Sequence, residues 1–130
     1  MRSAAVVGLD HVQVAAPPGC EAAARAFYGE LLGLTEVAKP AALAPRGGVW
    51  FGLGPAELHV GVETPFAPAG KAHPGLTVSD EGSLRALADA LEQAGHQVAW
   101  ADPAEIPGRA RFHVLDPWGN RLELLAPAAG

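Results

Sequence analysis

Four residues carry most of the chemistry this chain can offer: His11, His59, His73 and Glu123. Three imidazoles and a carboxylate form a donor set that first-row divalent metals bind well. Their spacing is as informative as their type. His11 and His73 lie 62 residues apart, as do Gly33 and Gly95, and as do Phe51 and His113. His59 and Glu123 lie 64 apart, which a final hairpin loop two residues longer explains. The chain therefore reads as one pattern written twice. Each half places one of the four residues in its first strand and one in its last, so that a pseudo-twofold arrangement would gather them around a metal.

The elements that must position them follow from periodicity. Alternation in LDHVQVA predicts a strand over 9–15, closed by Pro17, Pro18 and Gly19. A helix is expected over 20–32, with apolar residues at helical spacing and Gly33 in the position after its C-cap. Short strands are expected over 34–37, 49–53 and 57–63. The order then repeats: a strand over 73–79, a helix over 82–94 closed by Gly95, and strands over 96–101, 111–115 and 121–125. Asp116-Pro-Trp-Gly-Asn makes the last hairpin turn. The fold class is thus α+β, with two βαβββ modules forming a curved mixed-sheet cup and helices on its outer face. One domain is expected over 1–130, with modules at 9–63 and 72–127 and a Pro- and Gly-bearing linker over 64–71.

Composition narrows the function. A net charge of −5 without a basic run argues against nucleic acid, whose phosphates require clustered Lys and Arg. No run approaches the roughly 18–20 apolar residues of a membrane span, and the opening MRSAAVVG is too short for a secretory h-region. A single cysteine, Cys20, excludes an internal disulfide and suits a reducing cytoplasm. It reads as a small residue at a helix start rather than as a nucleophile.

Side chains alternate along strands, so each strand divides into two faces. Leu58, Val60 and Val62 pack under a helix, whereas Glu57, His59 and Gly61 face the cup. Leu122 and Leu124 pack inward opposite Glu123, and Val12 and Val14 inward opposite His11 and Gln13. Arg111 and His113 point with Glu123, and the 62-residue match puts Phe51 on the cup side and Trp50 under the helix. An unperturbed imidazole exchanges protons near neutral pH, so His113 is either a proton carrier over the cavity or a hydrogen-bonded rim residue. Arg111 suits an anionic substrate. Gln13, Phe51, Arg111 and Trp118 are the expected pocket residues. Trp118 reads equally as a turn filler and Tyr28 as core.

These segments resemble the vicinal oxygen chelate superfamily, which includes glyoxalase I, bleomycin and fosfomycin resistance proteins and ring-cleaving dioxygenases. The matching pieces are LDHVQVA, ARAFYGELLGL, AELHVGVE, AHPGLTVSD and RFHVLDPWGNRLELLAP, covering nearly the whole chain. The resemblance implies a divalent Fe, Mn, Ni, Co or Zn ion held by His11, His73 and Glu123. His59 stands at the fourth position, where relatives often carry a carboxylate or amide, and it is either a ligand or a nearby base. The implied chemistry is Lewis-acid catalysis on a small vicinal-oxygen substrate, of isomerase, lyase, epimerase or thiol-transferase type, with Glu123 or His113 moving the proton. A dioxygenase is the less favoured sub-case. The alternative is a metal-free protein that sequesters an antibiotic or aromatic molecule. Homodimers are common among such relatives, and modules pair either within or between chains.

Overall fold

The computed structural model describes residues 4–130. Met1–Ser3, the start of the short opening segment, lie outside the described residues. The first half contains β1 (His11–Ala16), α1 (Glu21–Ala24), β2 (Thr35–Val37), β3 (Val49–Leu53) and β4 (Ala56–Val62). Helix α1 runs on as a π-helical stretch over Arg25–Leu31, and a 3₁₀ turn at Ala44–Arg46 precedes β3. The second half contains β5 (Gly75–Thr77), α2 (Glu81–Gln93), β6 (Val98–Trp100), β7 (Arg109–Leu115) and β8 (Arg121–Pro127). Two four-stranded mixed sheets result, ordered β1-β4-β3-β2 and β5-β8-β7-β6, so the repeat extends to the topology. In each sheet the first and last strands run parallel and the other pairs antiparallel.

Local chemistry explains the boundaries. Asp80 accepts the Ser83 amide at 2.7 Å and caps α2. At the other end Gly95 adopts φ 92°, and the amides of Gly95 and His96 return to the carbonyls of Glu92 and Leu91, a Schellman closure. Strand β5 begins later than alternation predicts. Pro74 has no amide to donate to a ladder, so His73 stands before the strand while the Pro74 carbonyl accepts the Glu123 amide at 3.1 Å. Strand β7 begins earlier, at Arg109.

One hydrophobic core spans both halves, with Phe27, Tyr28, Phe51, Leu84, Leu91 and Phe112 essentially sealed from solvent. The halves are also locked by polar groups. The Tyr28 hydroxyl donates to Asp116 Oδ2 at 2.7 Å, and Asn120 Nδ2 donates to the Ala15 carbonyl at 2.7 Å. Asp116, buried in the β7–β8 turn, also accepts the amides of Trp118 and Asn120 and the Asn120 side chain, which balances its desolvation. Among the described residues no helix is long and apolar enough to cross a membrane.

Register corrects one expectation about faces. Phe51 lies opposite Leu58 and is fully buried beneath the first helix, where its ring meets Tyr28 at 5.9 Å. Trp50 lies opposite His59 and belongs to the cup face. In the second sheet His113 lies opposite Glu123, so the true partner of His113 is Trp50, 63 residues away. The longer β7–β8 loop shifts the third strand by one residue relative to a 62-residue repeat, and a shift of one reverses every side chain.

Candidate metal centre

The two cup faces carry different constellations at equivalent places. In the first sheet the rings of His11, His59 and Trp50 form a stack: His11 on His59 at 4.4 Å and 15°, and His59 on Trp50 at 3.8 Å and 1°. The outer nitrogens are occupied by neighbours, His59 Nε2 lying 2.8 Å from Glu57 and His11 Nδ1 2.8 Å from Asp10. The His59 side chain, at the middle of the stack, is 6% exposed, and that of His11, at the rim, 46%.

In the second sheet the groups converge instead of stacking. One nitrogen each of His73 and His113 and a Glu123 oxygen lie within 4.8 Å of one another, the one such trio of metal-binding side chains among the described residues. Glu123 Oε1 is 3.1 Å from His73 Nε2 and 3.0 Å from His113 Nε2, and Arg111 donates to Oε2 at 3.2 Å. Burial raises the Glu123 carboxyl, but the hydrogen bonds from His73, Arg111 and His113 outweigh it and hold the group below its ordinary range as an anion. Arg111 also reaches Glu105 at 3.1 Å, so its charge is shared between two carboxylates.

The donor set fits a divalent ion. A backbone carbonyl can only accept, so His73 Nδ1, 2.9 Å from the Lys71 carbonyl, carries a proton. A cation could sit between Nε2 and the Glu123 oxygen in place of the proton they share. A ligating histidine tied through its far nitrogen to a carbonyl is the usual supporting arrangement. The His73 nitrogen and the Glu123 oxygen suit Fe, Mn, Co, Ni or Zn, with the His113 imidazole against the same carboxylate.

Of the ligands expected from sequence, His73 and Glu123 are therefore adjacent, whereas His11 and His59 lie outside that trio in the same chain. His113, expected above the cavity as a base, lies against the carboxylate itself, with Arg121 Nη2 3.3 Å from the same Nε2 atom. Gln13 is exposed on the cup face beside His59. Trp118 is half-buried against the core at the β7–β8 turn, which favours its turn-filling role. Sequence reasoning passed over Trp50, because the repeat was aligned one residue out of step.

Comparisons with known proteins agree with this architecture. The sequence model described as the Glyoxalase/Bleomycin resistance protein/Dioxygenase superfamily matches residues 8–124. A solved structure from Bacillus anthracis, assigned to the glyoxalase family, is 46% identical, with TM-score 0.87 and coverage of 98% of this chain and 99% of that one. A lactoylglutathione lyase from Agrobacterium tumefaciens is 20% identical, with TM-score 0.71 and coverage of 95% and 96%. The fosfomycin resistance protein FosX from Listeria monocytogenes is 12% identical, with TM-score 0.71 and 93% of each chain covered. The last two show likeness of fold alone. No curated protein matches the sequence.

Proposed function

The chain belongs to the glyoxalase/bleomycin resistance protein/dioxygenase superfamily, and on that footing we propose that it is a metal-dependent enzyme acting on a small molecule with neighbouring oxygens, of isomerase, lyase, epimerase or thiol-transfer type. The observation that carries this reading is the convergence of His73, His113 and Glu123 on one point. A bound divalent ion supplies Lewis acidity to oxygens of a substrate. His73 and Glu123 hold the ion, with Glu123 oriented by Arg111 through its second oxygen. His113, half-buried beside that carboxylate, is the group placed to take up and return a proton.

His11 and His59 join the site from a second copy of the chain. A twofold dimer would apply the stacked face of each subunit to the converging face of the other and create two equivalent centres. The N-terminal arm supports this assembly: Val6, Val7 and Leu9 are 83%, 92% and 69% exposed immediately before His11, an apolar run that calls for a cover.

Metal content of the purified protein tests the proposal. The wild type is expected to retain a stoichiometric transition metal, and Glu123→Ala and His73→Ala to lose it while keeping a native circular dichroism spectrum. A wild type free of specific metal rejects the enzyme reading in favour of a sequestering cup, and metal unchanged in both variants rejects His73 and Glu123 as its ligands. Subunit sharing is tested by co-refolding His11→Ala with Glu123→Ala. Hybrid dimers would regain one intact centre, so metal binding above that of either variant alone is expected. No gain places all ligands within one chain.

A further inference from the structure

Beyond the metal trio, the first sheet's cup face ends in a cavity of about 210 Å³ whose lining includes Gln13, Lys39, Arg46, Trp50 and Gly61. We propose that this cavity is the anchoring subsite for the substrate and that it selects a planar carboxylate. The proposal deepens the reading of the cup as a substrate site and depends on it. Lys39 and Arg46 supply two positive charges, and no carboxylate lines the cavity. Neither cation has a carboxylate partner within salt-bridge distance among the described residues. In a chain of net charge −5 such a wall is a local reversal of sign, and guanidinium and ammonium groups recognise carboxylate well.

The wall is built rather than incidental. The loop bearing both cations is pinned at its end: Glu21 accepts the Gly48 amide at 2.7 Å, and the Lys39 ammonium donates to the Gly47 carbonyl. Gly48 has φ 84° and approaches β4 so closely that a Cβ would stand 2.2 Å from the Val60 carbonyl oxygen, so only glycine fits. Glu21, against the same loop, already serves the Gly48 amide. The floor is prepared as well. Gly61 has no side chain, and the Gln13 amide lies over it, 2.7 Å from where a Cβ would be. That amide makes no side-chain hydrogen bond among the described residues and is free to meet a ligand oxygen. Trp50, with one face covered by His59, supplies a flat wall for a planar group.

Calorimetric titration of the purified protein with benzoate, benzamide and inorganic phosphate tests the proposal. Benzoate is expected to bind at one site per chain, benzamide and phosphate at least about tenfold more weakly, and Arg46→Ala and Lys39→Met each to weaken benzoate at least about tenfold. Gly61→Ala, which displaces the Gln13 amide, is expected to weaken it too. Benzamide or phosphate binding as tightly as benzoate overturns the planar-carboxylate assignment, as does benzoate affinity unchanged in both cation variants. The same titration in Glu123→Ala separates this subsite from the metal. Arg46-dependent benzoate binding that persists there supports the subsite whatever the fate of the metal reading. Benzoate binding lost in Glu123→Ala but insensitive to Arg46 assigns benzoate to the metal and overturns the subsite.

Discussion

The two halves of the molecule share topology and diverge in chemistry at three matched positions. His11, His59 and Trp50 in the first sheet correspond to His73, Glu123 and His113 in the second. The first trio is a stack of flat rings held by dispersion, with its hydrogen-bonding nitrogens turned to neighbouring acids. The second is organised by a single anion, which draws two imidazoles and a guanidinium to it. A carboxylate in place of an imidazole at the central position separates them: a carboxylate offers only acceptors and gathers cations and donors, while an imidazole between two rings stacks. The fold preserves the positions, and one residue type at the centre decides what kind of site they make.

The largest effect expected from testing this comparison is at the turns. Asp116 in the β7–β8 turn collects four donors from three residues, one of them in the other half. Asp116→Ala should destabilise the protein by about 3–5 kcal/mol in urea denaturation, since it leaves several buried donors without a partner. Gly54→Ala in the matching β3–β4 turn should cost about 1 kcal/mol, because its φ of 54° is strained for alanine but the space around it is open. Equal losses would mean that the Asp116 network adds nothing to the joining of the halves.

A second, smaller contrast concerns the matched pair Trp50 and His113. His113→Ala should lower metal affinity by about 10–100-fold, read by competition with a chelating dye. Trp50→Ala should leave it within about twofold, because an indole supplies no ligand atom. The reverse result would assign the metal to the stacked face.

The smallest effect belongs to the first residue of each helix. The Gly48 amide is the main cause that holds the Glu21 carboxyl below its ordinary range. A carboxyl depressed in the folded state contributes stability above its unfolded pKa near 4.5, and that contribution is lost as pH falls through the folded value. Glu21→Gln should therefore lower Tm slightly at pH 7 and leave it nearly unchanged near pH 3. Glu81, the first residue of α2, accepts the Ala129 amide instead, so Glu81→Gln should affect the C-terminal strand region and leave the cation-bearing loop in place. A loss of Tm at pH 3 as large as at pH 7 would show that Glu21 acts through packing rather than charge.

Much of this architecture was legible in the sequence because it rests on local signals. Alternation in β1, β4 and β8 gave the correct faces for His11, His59 and Glu123, and Gly95 marked the end of α2 through the positive φ it adopts. Two of the segments that carry the family resemblance, ARAFYGELLGL and RFHVLDPWGNRLELLAP, are bonded to one another through Tyr28 and Asp116. What was not legible depends on register and tertiary placement. The exchange of Trp50 for Phe51 followed from the length of one hairpin loop, which fixes the parity of the strand before it. Which histidines meet Glu123 follows from register within the second sheet, which sets His113 opposite Glu123 and His73 just before the neighbouring strand. The Lys39 and Arg46 wall depends on a loop pinned by a helix residue far upstream, where no local motif marks the juxtaposition.

The bond between Tyr28 and Asp116 also equips the protein with its own spectroscopic gauge. Tyr28 is the only tyrosine in the chain. Its phenol lies in the seam between the halves, where burial, then the charge and the hydrogen bond of Asp116, push its ionisation well above the ordinary value near 10. A phenol held neutral in this way favours the folded state below its unfolded pKa, and that contribution fades as alkali ionises it. The phenolate absorbance of an alkaline titration would then come from one known residue. Its appearance would mark the opening of the seam, separately from changes in either metal binding or the cup.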